Sequence, residues 1–205
     1  VEDLNYCVEH SKLEPGKFDS SESFLYPSQG ASLALLAKMY LHQKSYDQAY
    51  AHLKRIIDSG VYALELSSSA SLTRNSRELI WGLLTSAQPE SYENVLKEND
   101  YVPFVTYTEV LLSASECAYR LGNQGEAMDY LNQVRKNYRL SEATDFDQQL
   151  KATWKELLKG EFAYFAFLKR NDLCEKELGI EAWQKLLPFP ESEVGLGGAE
   201  QNPGY

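Results

Sequence analysis

Two stretches of this chain carry the same helical design, and together they exclude most folds. In ASLALLAKMYLHQKSYDQAYAHLKRIIDSGVYAL, the apolar positions Leu33, Leu36, Ala37, Tyr40 and Leu41 recur at three- and four-residue steps. After the polar break HQKS they resume as Tyr46, Ala49, Tyr50, Leu53, Ile56 and Ile57. That spacing predicts two amphipathic helices joined by a tight turn, with Asp58-Ser59-Gly60 as the stop. The segment EVLLSASECAYRLGNQGEAMDYLNQVR repeats the plan around a GNQG turn. Laying Ala49 on Ala127 also lays Leu33 on Leu111, Leu36 on Ala114 and Leu53 on Leu131. Each unit therefore places a small alanine early in its second helix, where a bulkier side chain would hold the two helices apart.

This helix-turn-helix logic resembles the tetratricopeptide repeat. A further helical stretch, FDQQLKATWKELLKGEFAYFAFLKRND, puts Phe146, Leu150, Trp154, Leu157, Leu158, Phe165 and Leu168 on an apolar side, with one weak point at Gly160. Short helices are expected around Asp3–His10 and Glu181–Lys185. Between the two pairs, RELIWGLLT (Arg77–Thr85) is an apolar run suited to a buried strand, and the residues from Ser86 to Pro103 read as loop. The last twenty residues, LLPFPESEVGLGGAEQNPGY, cannot be a helix on this reading. Pro188 and Pro190 pin their own φ and bias the residues before them away from helix, so an extended path is expected, with its apolar side chains in a groove.

Composition narrows the chemistry. With a formal charge of -10 and no run of Lys or Arg, the chain lacks the means to neutralise phosphates, which argues against nucleic acid and against an anionic membrane surface. No stretch approaches the roughly 18 apolar residues of a membrane-spanning helix. The first residues are acidic from Glu2 onward and do not read as a signal peptide. Cys7, Cys117 and Cys174 are too few and too scattered for a disulfide framework or a zinc site, and His10, His42 and His52 suggest no metal cluster. No cofactor is expected, since no phosphate loop or catalytic motif is present. As paired carboxylates for glycoside cleavage, Glu156 and Glu161 lie five apart, about 140° around a helix, and do not share a face. Glu109 and Glu116 do share one, but on a core-facing helix, where capping or pairing with a base is the simpler role. No catalytic residues are assigned.

The tail carries the most specific signal. LLPFPESEVGLGGAEQNPGY resembles the C-terminal signature of the SusD/RagB family of outer-membrane nutrient-binding lipoproteins, roughly LLPIP-x-SE followed by QNPGY. Other segments agree in order: EDLNYCVEH, SQGASLALLAKMYLH, YTEVLLSASECAYRLG and LNQVR each resemble a family segment. Departures exist. Thr106 stands where the family usually has Arg, and Tyr164 and Phe167 stand where it usually has Arg and Asp, so aromatic packing is expected to replace a charge network there.

The resemblance implies an all-α domain over residues 1–205: a first helix pair at 31–60, an insertion at 61–103, a second pair at 104–140, C-terminal helices at 145–185 and an ordered extended tail at 186–205. Full members begin with a secretion signal, a lipidated Cys and a further repeat, so the chain reads as a C-terminal portion of a longer protein or a reduced homologue. The implied function is glycan or nutrient capture without catalysis. The implied setting is the cell surface at the outer membrane, through a lipid anchor in the full-length protein, beside a SusC-like TonB-dependent transporter. The rival is a tetratricopeptide-like scaffold for protein partners. Because ligand contacts in repeat proteins favour insertions, Trp81, Tyr92 and Tyr101 are the candidate ligand-binding aromatics. Within its apolar run Trp81 reads first as a core residue, and as a ligand contact only second.

Overall fold

The computed structural model of the chain describes residues 1–11, 23–65, 76–84 and 101–205. They form two compact units, Val1–Leu158 and Lys159–Tyr205.

The first unit is built on the two expected helix pairs. Helix α1 (Glu2–His10) precedes α2 (Gln29–His42) and α3 (Tyr46–Asp58). A two-stranded antiparallel hairpin follows, β1 (Leu79–Leu84) and β2 (Tyr101–Thr106). Then come α4 (Tyr107–Arg120), α5 (Gln124–Asn137) and α6 (Phe146–Leu158). The register read from the sequence holds: Leu33, Leu36, Leu53, Leu111, Ala114 and Leu131 are all buried, and Ala49 and Ala127 are both fully buried. Removing a leucine of this size from water is worth about 1.5–3 kcal/mol, so these positions dominate the packing energy. In the second pair the close approach is sealed by the Ser115 hydroxyl, which donates to the Ala127 carbonyl at 2.7 Å.

The same register aligns the helix ends. Ser28 and Thr106 are equivalent N-caps, their hydroxyls accepting from the backbone N–H of Ala31 (3.1 Å) and Glu109 (3.3 Å). The departure at Thr106 thus has a local role. At the turns, Lys44 (φ 58°) and Gly122 (φ 88°) are also equivalent, and each sits in a left-handed conformation that closes the preceding helix. The next residue bonds back five positions, Ser45 N–H to Tyr40 at 2.9 Å and Asn123 N–H to Ala118 at 2.8 Å. The first turn makes with lysine what the second makes with glycine.

Two expectations change. The stretch from Phe146 to Asp172 is not one helix: α6 ends at Leu158 and α7 begins at Phe162, with Gly160 at φ 100° between them. The residues ahead of α4 are not loop but β2, a strand hidden in the sequence by Pro103. Proline is tolerated there because both strands of a two-stranded sheet are edges.

The second unit contains α7 (Phe162–Arg170), α8 (Cys174–Leu178), a 3-10 turn over Ala182–Lys185, and α9 (Glu191–Gly195). On α7 the expected aromatic packing is present: Tyr164 and Phe167 stack with centroids 6.5 Å apart, and the Arg170 guanidinium lies 5.2 Å from the Phe167 ring centre. The tail is ordered by its own hydrogen bonds. Gln201 brackets Phe189, accepting from its N–H at 2.8 Å and donating to its carbonyl at 3.1 Å. Asn202 donates to the Leu187 carbonyl at 2.6 Å, and the Tyr205 hydroxyl donates to the Leu186 carbonyl at 2.9 Å. Tyr205 also meets Trp183 edge-on at 4.9 Å.

Two details differ from the sequence reading. The middle of the tail is one helical turn, because Pro190 at φ -53° leads into it and its carbonyl accepts from Glu193 N–H at 2.9 Å. Leu187 and Phe189 remain exposed, so the QNPGY side chains hold the LLPFP backbone rather than a groove holding its side chains.

Candidate ligand-binding surface

The hairpin is anchored by a carboxylate that the sequence reading did not single out. Glu78, 1% exposed, accepts from the Thr108 hydroxyl, from the Tyr138 hydroxyl at 3.0 Å and from the Glu65 N–H at 2.9 Å. Burial raises its pKa above the ordinary carboxylate value, while these three hydrogen bonds pull the other way. The acid thus ties the start of β1 to α4 and to the end of α5. Glu65 in turn accepts from Arg77 N–H at 2.9 Å, and the Arg77 guanidinium donates to the carbonyls of Gly60 (2.9 Å) and Val61 (3.1 Å).

The strand register then decides where Trp81 points. Leu79 pairs with Thr106 and Trp81 with Val105, so Ile80 is an extra residue on β1. Trp81 pairs with Val105 and Gly82 with Pro103, so Phe104 is an extra residue on β2. Strict alternation from the buried Leu79 would send Trp81 inward as well. The bulge at Ile80 inserts one residue: Leu79 and Ile80 are both buried, and Trp81 and Leu83 move to the outer side, Trp81 half-buried and Leu83 42% exposed. That Trp81 is half-buried rather than fully buried is therefore set by backbone register rather than by its own chemistry.

Phe104, the opposing bulge residue, meets Trp81 edge-on, with centroids 5.1 Å apart and planes at 82°. Behind it stands Lys38 of α2. Its ammonium lies 5.2 Å from the Phe104 ring centre, donates to the Phe104 carbonyl at 3.3 Å and pairs with Glu109 at 2.6 Å. Glu109 is thereby committed to a structural ion pair.

Of the three aromatics expected to bind ligand, only Trp81 has its side chain described. The backbone of Tyr101 opens β2, paired with Leu84, and Tyr92 lies outside the described residues. Phe104 and Lys38 escaped the sequence reading, because no periodicity marks a bulge residue and Lys38 sits on an otherwise core-facing helix.

A separate shallow cavity of about 190 Å³ lies among Gln29, Gly30, Arg55, Ser59 and Tyr62. That is below the roughly 300–1,000 Å³ that encloses a small ligand, so the open aromatic surface is the stronger candidate. No group of His, Cys, Asp and Glu among the described residues is arranged to hold a metal ion. No helix among them is long and apolar enough to cross a membrane.

Comparison with known proteins agrees with this architecture. The family profile described as the SusD family matches residues 60–164. No curated protein matches the chain. Among solved structures, surface glycan-binding protein A from Bacteroides uniformis superposes with a TM-score of 0.76 at 17% identity, over 98% of this chain and 67% of that one. A SusD superfamily protein from Bacteroides vulgatus gives 0.79 at 15% identity, over 100% and 67%. Surface glycan-binding protein A from Bacteroides thetaiotaomicron, in complex with laminarihexaose, gives 0.77 at 16%, over 98% and 69%. At these identities the likeness is one of fold, and the chain spans about two thirds of the length of each.

Proposed function

The chain belongs to the SusD family, and from that premise we propose that it captures glycan on the outer face of the outer membrane, by stacking and hydrogen bonding and without catalysis. The observation that carries this reading is the bulge at Ile80, which turns a tryptophan out of an apolar strand and leaves it half-buried beside a second ring. An indole held in this way offers a flat apolar face to the C–H side of a sugar ring, at little entropic cost because the ring is already oriented. Tyr92, between the two strands in sequence, and Tyr101, the first residue of β2, are proposed as further contacts. In the full-length, lipid-anchored protein the captured glycan passes to a SusC-like TonB-dependent transporter. The glycan-bound relative from Bacteroides thetaiotaomicron supports the ligand class.

The test is affinity electrophoresis and calorimetry of the full-length protein against laminarin, starch, xylan and galactomannan, with Trp81→Ala beside the wild type. Truncating a central aromatic contact costs about 2 kcal/mol or more, close to thirtyfold in affinity. Wild-type binding that survives Trp81→Ala undiminished overturns the assignment of the surface. Failure to bind any glycan, together with peptide capture along the helix pairs, would favour the scaffold reading.

A further inference from the structure

We propose that Phe104 is the positioning residue for Trp81, and that Lys38 fixes Phe104 in turn. This inference rests on the reading of Trp81 as a glycan contact and extends it to a residue that need not touch the glycan.

Three features of the geometry lead here. First, Trp81 sits between two irregularities of opposite strands, Ile80 on one side and Phe104 on the other. In a regular ladder Phe104 would stand opposite the indole, but here Trp81 pairs with Val105 instead, and the Phe104 ring supports the indole from a near-perpendicular position at 5.1 Å and 82°. Second, Phe104 is held at both its backbone and its ring by one side chain. The Lys38 ammonium donates to the Phe104 carbonyl at 3.3 Å and lies 5.2 Å from the ring centre. Third, Lys38 is itself fixed by Glu109, at 2.6 Å to one carboxylate oxygen and 2.9 Å to the other. Glu109 lies in the first turn of α4, where the cap residue Thr106 sets its backbone. The line of contacts Glu109, Lys38, Phe104, Trp81 therefore runs from the rigid helix pairs to the half-buried indole.

An arrangement of this kind orders the ring before the ligand arrives, which is where a positioning residue acts on affinity. With the cation occupied by Glu109, its role in the line is to hold the ring, not to attract an acidic sugar.

The experiment combines a ligand-independent readout with binding. Labelling the full-length protein with 5-fluorotryptophan gives one ¹⁹F resonance per tryptophan, three of them from the residues of this sequence, and the one lost in Trp81→Phe belongs to Trp81. Phe104→Leu is expected to shift or broaden that resonance alone, and to weaken binding of the tightest glycan in the panel about tenfold, the factor by which re-ordering one large side chain lowers affinity. Phe104→Tyr, which keeps the ring, is expected to restore both. Lys38→Met is expected to move the same resonance in a protein whose thermal midpoint reports intact folding. An unmoved Trp81 resonance with unchanged affinity in Phe104→Leu overturns the positioning role. Undiminished binding in Trp81→Ala overturns the surface instead, and the two failures are told apart by which variant shows them.

Discussion

Glycine to alanine at two helical positions should have opposite signs, and the reason lies in one tyrosine. Gly125 sits in α5 with nothing within 4 Å of an added Cβ. Gly30 sits in α2, where an added Cβ would meet the Tyr62 hydroxyl, with ring carbons at 2.9 and 3.0 Å. Alanine in a helix gains up to about 1 kcal/mol over glycine, and Gly125→Ala should show that gain. At Gly30 the same gain is opposed by overpacking, which costs about 1–3 kcal/mol. The upper end applies, since Tyr62 is buried and stacked on Tyr107 at 6.4 Å and cannot swing aside freely. The net loss is then about 2 kcal/mol, and at about 2–4 °C per kcal/mol for a unit of this size the midpoint falls by roughly 4–8 °C. Thermal unfolding followed by circular dichroism reads both variants. Tyr62→Phe removes the nearest clashing atom, so it should recover part of the loss in the Gly30→Ala background and little in wild type. Gly30→Ala stabilising the protein as Gly125→Ala does would refute the placement of Tyr62.

Two further outcomes follow from other positions. Lys44 holds a left-handed conformation at φ 58° that costs an L-residue about 1–2 kcal/mol. Lys44→Gly, despite the entropy glycine loses on folding, should raise stability by about 0.5–1 kcal/mol in urea unfolding, and a lower midpoint would contradict that strain. His52 is stacked on Tyr40 at 5.5 Å, and its pKa is lowered by burial and then by the charge of Arg55. The unfolded chain therefore binds this proton more readily than the folded one. Its contribution is complete above about pH 6.5 and fades as pH falls through that value. The midpoint should drop between pH 7.5 and 5 less steeply in His52→Gln than in wild type, and parallel curves would exclude His52 as a source of the slope.

How much was readable in the sequence varied with the kind of signal. The helix pairs were legible because apolar spacing of 3.6 residues and small alanines act within a few turns of chain, and the buried register of Leu33 with Leu111 and of Ala49 with Ala127 followed from them. The aromatic packing at Tyr164 and Phe167 was expected from the family resemblance, at positions where that family usually carries Arg and Asp, and not from spacing. The apolar run at Leu79–Leu84 announced a strand, but its partner did not, because Pro103 masks a strand that only an edge position permits. Glu78 was unremarkable beside its neighbours. Its burial depends on Thr108 and Tyr138, which are brought to it from distant parts of the chain.

The sequence by itself determined the two helix pairs and their pairing face, since those preferences are local and periodic. Only the tertiary structure decided which way Trp81 faces and what supports it. Strand alternation reverses with a single inserted residue, and whether Ile80 is inserted depends on its neighbours Leu79 and Trp81 pairing with Thr106 and Val105, some twenty-five positions away.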